Sequence, residues 1–230
     1  MSLERLETVE EVVERDWTVE EIPVLSARVS LPRPGEAGPD RRLRRIDRYY
    51  RQFARSYLRY CDSFLFPRAA AEFRQAAASG APLPHFTASL TYQVTWNEGG
   101  VWSLYADSRE RGGPPLAVRR GDTWNLDTGT PLPLASFFPP RTPLRRLLPA
   151  LAAQEIQRQL DAGTAFYRED WQRRLRRELS TGNYYLSPEG ICFFYQMYDL
   201  APSAEGTPVF CVPWGSHGTA APKGGEERSE

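Results

Sequence analysis

Residues 183–214 read NYYLSPEGICFFYQMYDLAPSAEGTPVFCVPW, from Asn183 to Trp214. The run divides into an aromatic strand, a polar turn, an apolar strand, a Pro/Gly-containing connection and a short last strand. From Ile191 to Tyr198 both alternating sets are apolar, Ile191/Phe193/Tyr195/Met197 and Cys192/Phe194/Tyr198. A strand apolar on both sides must be covered on both sides, so this one is expected at the centre of a sheet.

Working outward toward the N-terminus, residues 167–179 read as a short helix bearing Trp171, Leu175 and Leu179 among arginines. Leu144 to Leu160 forms an amphipathic helix with Leu144, Leu147, Leu148, Leu151, Ile156 and Leu160 inward. Pro131 to Pro143 is a proline-rich connection docked by Leu134, Phe137 and Phe138. Before it, Phe86 to Trp96 alternates strictly, and Asn97-Glu98-Gly99-Gly100 supplies the hairpin turn into Val101–Asp107. Gly112-Gly113-Pro114-Pro115 makes the next turn, Leu116 to Leu126 gives one or two strands, and Asp127-Thr128-Gly129 closes a meander.

Further out, Asp40 is placed as the N-cap of a helix running to about Phe64, buried through Leu43, Ile46, Tyr50, Phe53, Tyr57, Cys61 and Phe64. Its other faces carry Arg41, Arg42, Arg44, Arg45, Arg48, Arg51, Arg55 and Arg59, and Pro67 interrupts it before an alanine-rich continuation. Glu21 to Pro32 alternates as a strand. Residues 1–21 read as an acidic arm, in which Leu6, Val9, Val13 and Trp17 follow helical spacing. Together these elements predict an α+β fold. An antiparallel sheet of meander plus C-terminal strands is covered by two main amphipathic helices. Four segments follow: arm 1–21, N-terminal half 22–130, C-terminal domain 131–214, and a disordered tail 215–230.

The totals narrow the function. Lysine plus arginine and aspartate plus glutamate both number 29, which removes a whole-molecule argument for nucleic acid or an anionic membrane. Three cysteines without a C-x-x-C spacing do not make a disulfide framework. Cys192 and Cys211 fall on neighbouring predicted strands, within pairing reach; buried free thiols are the preferred reading. The N-terminus lacks the basic and apolar segments of a signal peptide, and no run nears the roughly 18 apolar residues of a membrane span. A cytoplasmic protein is therefore expected.

The C-terminal half also resembles a family. Leu134-x-x-Phe137-Phe138 and the helix after it lead to Leu186-Ser187-Pro188-Glu189-Gly190-Ile191 and Phe194-Tyr195. Tyr198-Asp199-Leu200-Ala201-Pro202, Gly206 and Val212-Pro213-Trp214 complete the order. The pattern is similar to the RsiV-like extracytoplasmic domains, bacterial domains of unknown function shared with the N-terminal regions of PdaC-like deacetylases. Residues 22–130 resemble the partner domain of that family more loosely. Members often carry Gly-Gly-Ala-His where this chain has Gly112-Gly113-Pro114-Pro115, and a tyrosine where it has Ser203. The resemblance implies a noncatalytic recognition domain, usually extracytoplasmic, with a protein or peptidoglycan-type ligand.

No H-E-x-x-H, Cys/His set, G-x-S-x-G elbow or phosphate loop stands in the sequence, so neither metal nor cofactor is expected. His85 reads as a strand-entry surface residue, and Gly112-Gly113 as a turn. The candidate binding residues are Trp96, Trp102, Asp107, Trp124 and Tyr198, with core packing as the competing role of the tryptophans. Two alternatives remain. A carboxylate-dependent hydrolase would use Asp107, Glu110, Asp122 and Asp127, of which two must face each other across a cleft. A nucleic-acid binder would use the arginine helix, residues 41–59, with Tyr49, Tyr50, Phe53 and Tyr57, although those aromatics fall mostly on the buried stripe.

Overall fold

The computed structural model describes residues 3–35 and 38–222. The fold is α+β. Nine strands form two sheets: a six-stranded sheet in the order β1 to β6, and a three-stranded sheet β7-β8-β9. The first holds β1 (Thr8–Val19), β2 (Ile22–Pro34), β3 (Phe86–Glu98), β4 (Val101–Arg111), β5 (Leu116–Asn125) and β6 (Thr130–Pro131). The second holds β7 (Tyr184–Ser187), β8 (Gly190–Phe194) and β9 (Val209–Pro213). The helices are α1 (Arg41–Tyr60), α2 (Phe66–Ser79), α3 (Leu144–Asp161) and α4 (Trp171–Arg177).

Two compact units share the chain. One contains Gln93–Tyr105 and everything from Ala117, together with the N-terminal residues up to Leu6; the other contains Glu7–Tyr92 and Ala106–Leu116.

In the first unit β8 takes the central place expected of it. Its alternating sets enter two different clusters. Ile191 and Phe193 join Leu148, Ile156 and Trp171, whereas Cys192 and Phe194 join Tyr185. The strand ends at Phe194 rather than Tyr198, because the Asp199 carboxylate accepts the Gln196 N–H at 2.8 Å and turns the chain. The C-terminal strands keep a sheet of their own instead of extending the meander. At the seam the Ser103 hydroxyl accepts the Leu186 N–H at 2.9 Å, so a side chain occupies the place of a ladder bond. Gly121 permits this approach, since a Cβ there would overlap the Tyr184 carbonyl.

The cysteine reading is corrected. Cys192 and Cys211 are directly opposite in the β8–β9 register and form a disulfide with Cα atoms 4.1 Å apart; Cys61 is the buried free thiol. Facing positions on antiparallel strands bring Cα atoms about this close, so no backbone displacement is needed.

In the second unit, the expected N-terminal helix is a strand. Thr8–Val19 pairs antiparallel with β2 along its whole length. Its β-branched Thr8, Val9, Val12, Val13, Thr18 and Val19 suit a pleated surface, and its glutamates sit at an edge where charge discourages further pairing. Helical spacing of Leu6, Val9, Val13 and Trp17 was coincidental. The β1–β2 turn uses Glu20 and Glu21, both at positive φ (50° and 66°). β2 and β3 pair in parallel, and α1 and α2 form the crossover that parallel strands require.

Asp40 caps α1 as expected, its carboxylate accepting the Arg42 N–H at 2.8 Å. A single π-helical turn, Cys61–Leu65, follows α1 without a break, and α2 continues from it. The extra residue of that turn moves the buried stripe onto Cys61, Leu65, Ala69 and Phe73, leaving Phe64 59% exposed rather than inward. Pro67 begins α2 instead of breaking a helix. At the other end of the chain, residues 215–222 are ordered, contrary to expectation. Thr219 is buried and bonds back to the Gly215 N–H. The tail beyond residue 222 lies outside the described residues.

Candidate functional site

The sequence-nominated residues do not assemble into one site. Trp102 is fully buried, and Trp96 and Trp124 are buried as well. Trp96 stacks edge-on with Trp214 at 5.9 Å, and its indole N–H donates to the Glu98 carbonyl at 2.9 Å. The three tryptophans therefore hold the core, and an open groove lined by them is not formed. Tyr198 is half-buried at φ 71°, in the turn that Asp199 ties. Asp107 is buried in the second unit, 3.7 Å from Arg109.

The other carboxylates are separately engaged. Asp122 lies 3.2 Å from the Arg120 guanidinium, and Asp127 accepts the Leu3 N–H at 3.2 Å. Glu110 is raised above the usual carboxylate range by burial, while a hydrogen bond from Tyr60 pulls it down. Burial and the neighbouring Glu110 charge push the Tyr60 hydroxyl up to about 12. The Gly112-Gly113 turn beside Glu110 holds no phosphate cradle. A Cβ on Gly112 would overlap the Phe86 ring, and one on Gly113 the Arg68 guanidinium, so the glycines answer crowding. His85 stands exposed at strand entry, with its Nε2 3.0 Å from the Ser26 hydroxyl. Among the described residues no group of His, Cys, Asp or Glu has the disposition to hold a metal ion.

Two concavities stand out. In the first unit a cleft of about 440 Å³ runs between Gly121–Thr123, the Pro131–Pro133 wall and Thr181–Gly182. Its single carboxylate is Asp122, already held by Arg120, and the Tyr184 hydroxyl at its floor donates to the Leu132 carbonyl. These contacts make it a structural seam.

The second concavity is of another kind. In the second unit α1 lies over β1 and β2, and a groove of about 190 Å³ opens between them, lined by Val13, Val29, Leu31, Tyr50, Ala54 and Leu58. Arg33, Arg51 and Arg55 stand at its rim with Glu11. Asp47 binds Arg33 at 2.7 Å and Arg51 at 2.9 Å, and Arg33 reaches Glu11 at 2.9 Å. This network fixes the rim, and the Asp47 bond raises Arg33 further. Along the solvent side of α1, Arg41, Arg44, Arg45, Arg48, Arg51 and Arg55 are all exposed. They recur every three or four residues, which places them on one face.

The arrangement is costly for the helix. The first turn carries Arg41 and Arg42 and no acid, so positive charge sits at the positive end of the helix dipole. Asp40 offsets part of this; the Arg42 hydrogen bond lowers it to about 2. Dipole and guanidinium row add to one positive surface, suited to an anion. Tyr50 and Tyr57 are buried beneath the row, which withholds the stacking partners that a nucleic-acid surface needs. The groove was not legible in the sequence because its β1 wall read as an arm. The arginine recurrence was visible.

Comparison with known proteins adds the family. Residues 135–215 match DUF3298, a protein family of unknown function. Two solved structures of that family share the fold over nearly the whole chain. One is a DUF3298 member from Bacteroides fragilis NCTC 9343, with 14% identity, TM-score 0.65, and 93% of this chain and 92% of that one covered. The other is a DUF3298 protein from Pseudomonas aeruginosa PAO1, with 18% identity, TM-score 0.60, and 90% of both chains covered. No curated protein matches. The DUF3298 match covers β7, β8 and β9 together with α3 and α4, so it falls on the scaffold and leaves the arginine face outside it.

Proposed function

We propose that the protein is a noncatalytic recognition domain that binds an anionic partner, protein or glycan, on the α1 face. The observation that carries this reading is the exposed arginine row beside an apolar groove, built against the preference of the helix dipole. The separate engagement of Asp122, Asp127 and Glu110 supports it over a hydrolase, which needs two carboxylates free to face a substrate. The RsiV-like resemblance supports the same role. Among the described residues no helix is long and apolar enough to cross a membrane. The Cys192–Cys211 bond supports an oxidising compartment in place of the expected cytoplasm, because such bonds persist where thiols are not kept reduced.

Charge reversal tests the reading. Arg44→Glu with Arg48→Glu is expected to abolish retention on a carboxylated matrix at low salt. Arg173→Glu with Arg176→Glu, exposed arginines of α4, should leave it nearly unchanged. Equal loss from both pairs would mean a diffuse charge effect and would overturn the assignment to α1.

A further inference from the structure

We infer that the α1 face takes an acidic peptide segment, anchored in the groove by one aromatic or large aliphatic side chain. This rests on the recognition reading above and narrows its ligand. Two features must be satisfied together. Arg44, Arg48, Arg51 and Arg55 recur at steps of four, three and four and span roughly 16 Å along the helix. Acidic side chains repeating every three or four residues on a helical peptide have the same spacing, and guanidinium forks pair with carboxylates through two parallel bonds.

Exposed pairs of this kind contribute little each and are screened by salt. The row alone therefore gives weak and unselective attraction. The groove supplies the missing selectivity. Its volume, about 190 Å³, exceeds the roughly 150 Å³ at which an aliphatic cavity holds a benzene ring. Val13, Val29, Leu31, Ala54 and Leu58 offer aliphatic contact to such a ring. A sugar inserted there would leave hydroxyls facing that lining without hydrogen-bond partners. A nucleic-acid base would find its stacking tyrosines, Tyr50 and Tyr57, already buried. A peptide carrying both carboxylates and one apolar anchor satisfies row and groove at once, in the manner of an amphipathic helix seated in a groove.

The test uses the full chain and a labelled, helix-forming peptide of about three turns, with glutamates at three- and four-residue spacing and one central phenylalanine. Fluorescence anisotropy at low salt should show binding that weakens as salt rises. Replacing the phenylalanine of the peptide by serine should weaken it about ten- to a hundred-fold. Ala54→Trp, which fills the groove, and Arg48→Glu with Arg55→Glu should each do the same, with thermal melts checking that the variants fold. Where Ala54→Trp fails to fold, the serine peptide carries the groove test alone. Equal affinity for the two peptides would overturn the anchor. Equal or tighter binding of a sulfated oligosaccharide or single-stranded DNA would overturn the peptide class. Either result leaves α1 as the recognition face, whereas no binding of any anionic probe would overturn both readings.

Discussion

The two units treat polar side chains in opposite ways. In the unit built on β8, polar groups are turned inward as staples. The Tyr195 hydroxyl donates to the Leu175 carbonyl at 2.9 Å, and Ser103 meets Thr123 at 2.7 Å while accepting the Leu186 N–H. The Gln196 amide bonds both the N–H and the carbonyl of Arg119. In the unit built on α1, arginines are set outward in a row. The hairpins differ likewise. β3 and β4 are joined by Gly99-Gly100, both at positive φ, as a tight hairpin prefers; β1 and β2 are joined by Glu20-Glu21 in the same region. One unit is composed to hold its shape, and the other accepts local cost to keep charge on display.

That contrast can be broken or sharpened by mutation. The largest effect is expected from Gly190→Ala, whose methyl would overlap the Val212 carbonyl in the β8–β9 ladder. A loss of about 3 kcal/mol or more should appear in urea denaturation, because backbone has nowhere to retreat. Cys192→Ala with Cys211→Ala opens a link between positions 19 apart and should cost about 3 kcal/mol, measured without reductant. A loss under about 1 kcal/mol in both cases would mean that the first unit is not the tightly specified one.

In the second unit the direction should reverse. Glu20→Asn with Glu21→Gly relieves two left-handed residues and should stabilise by about 1 kcal/mol. The smallest effect belongs to Glu110. Its folded-state carboxyl titrates above the unfolded one, so stability is complete below the ordinary carboxylate range and falls as pH rises through the folded value. Glu110→Gln should therefore leave Tm unchanged near pH 4 and raise it near pH 8. A gain of the same size at both would assign the effect to packing.

Legibility followed the same division. The β8 reading succeeded because both alternating sets are apolar, and the two clusters it enters are the physical counterpart of that pattern. Asn97–Gly100 announced its hairpin through glycine. Glu20-Glu21 gave no such signal, so β1 was taken for an arm, and the groove it walls went unseen. The parallel β2–β3 pair was implicit in the helical crossover between them but needed the partner strand to be recognised. Burial of Trp96, Trp102 and Trp124 depends on contacts distant in sequence, which alternation alone does not fix.

The π turn at Cys61–Leu65 carries a consequence for how this chain tolerates length changes. Removing one residue there would convert the junction to ordinary helix and rotate everything downstream by about 100°. Phe64 would swing toward the interior while Ala69 and Phe73 swung out. A deletion at this point is thus a phase error, one that only a compensating insertion farther along the same rod would cancel.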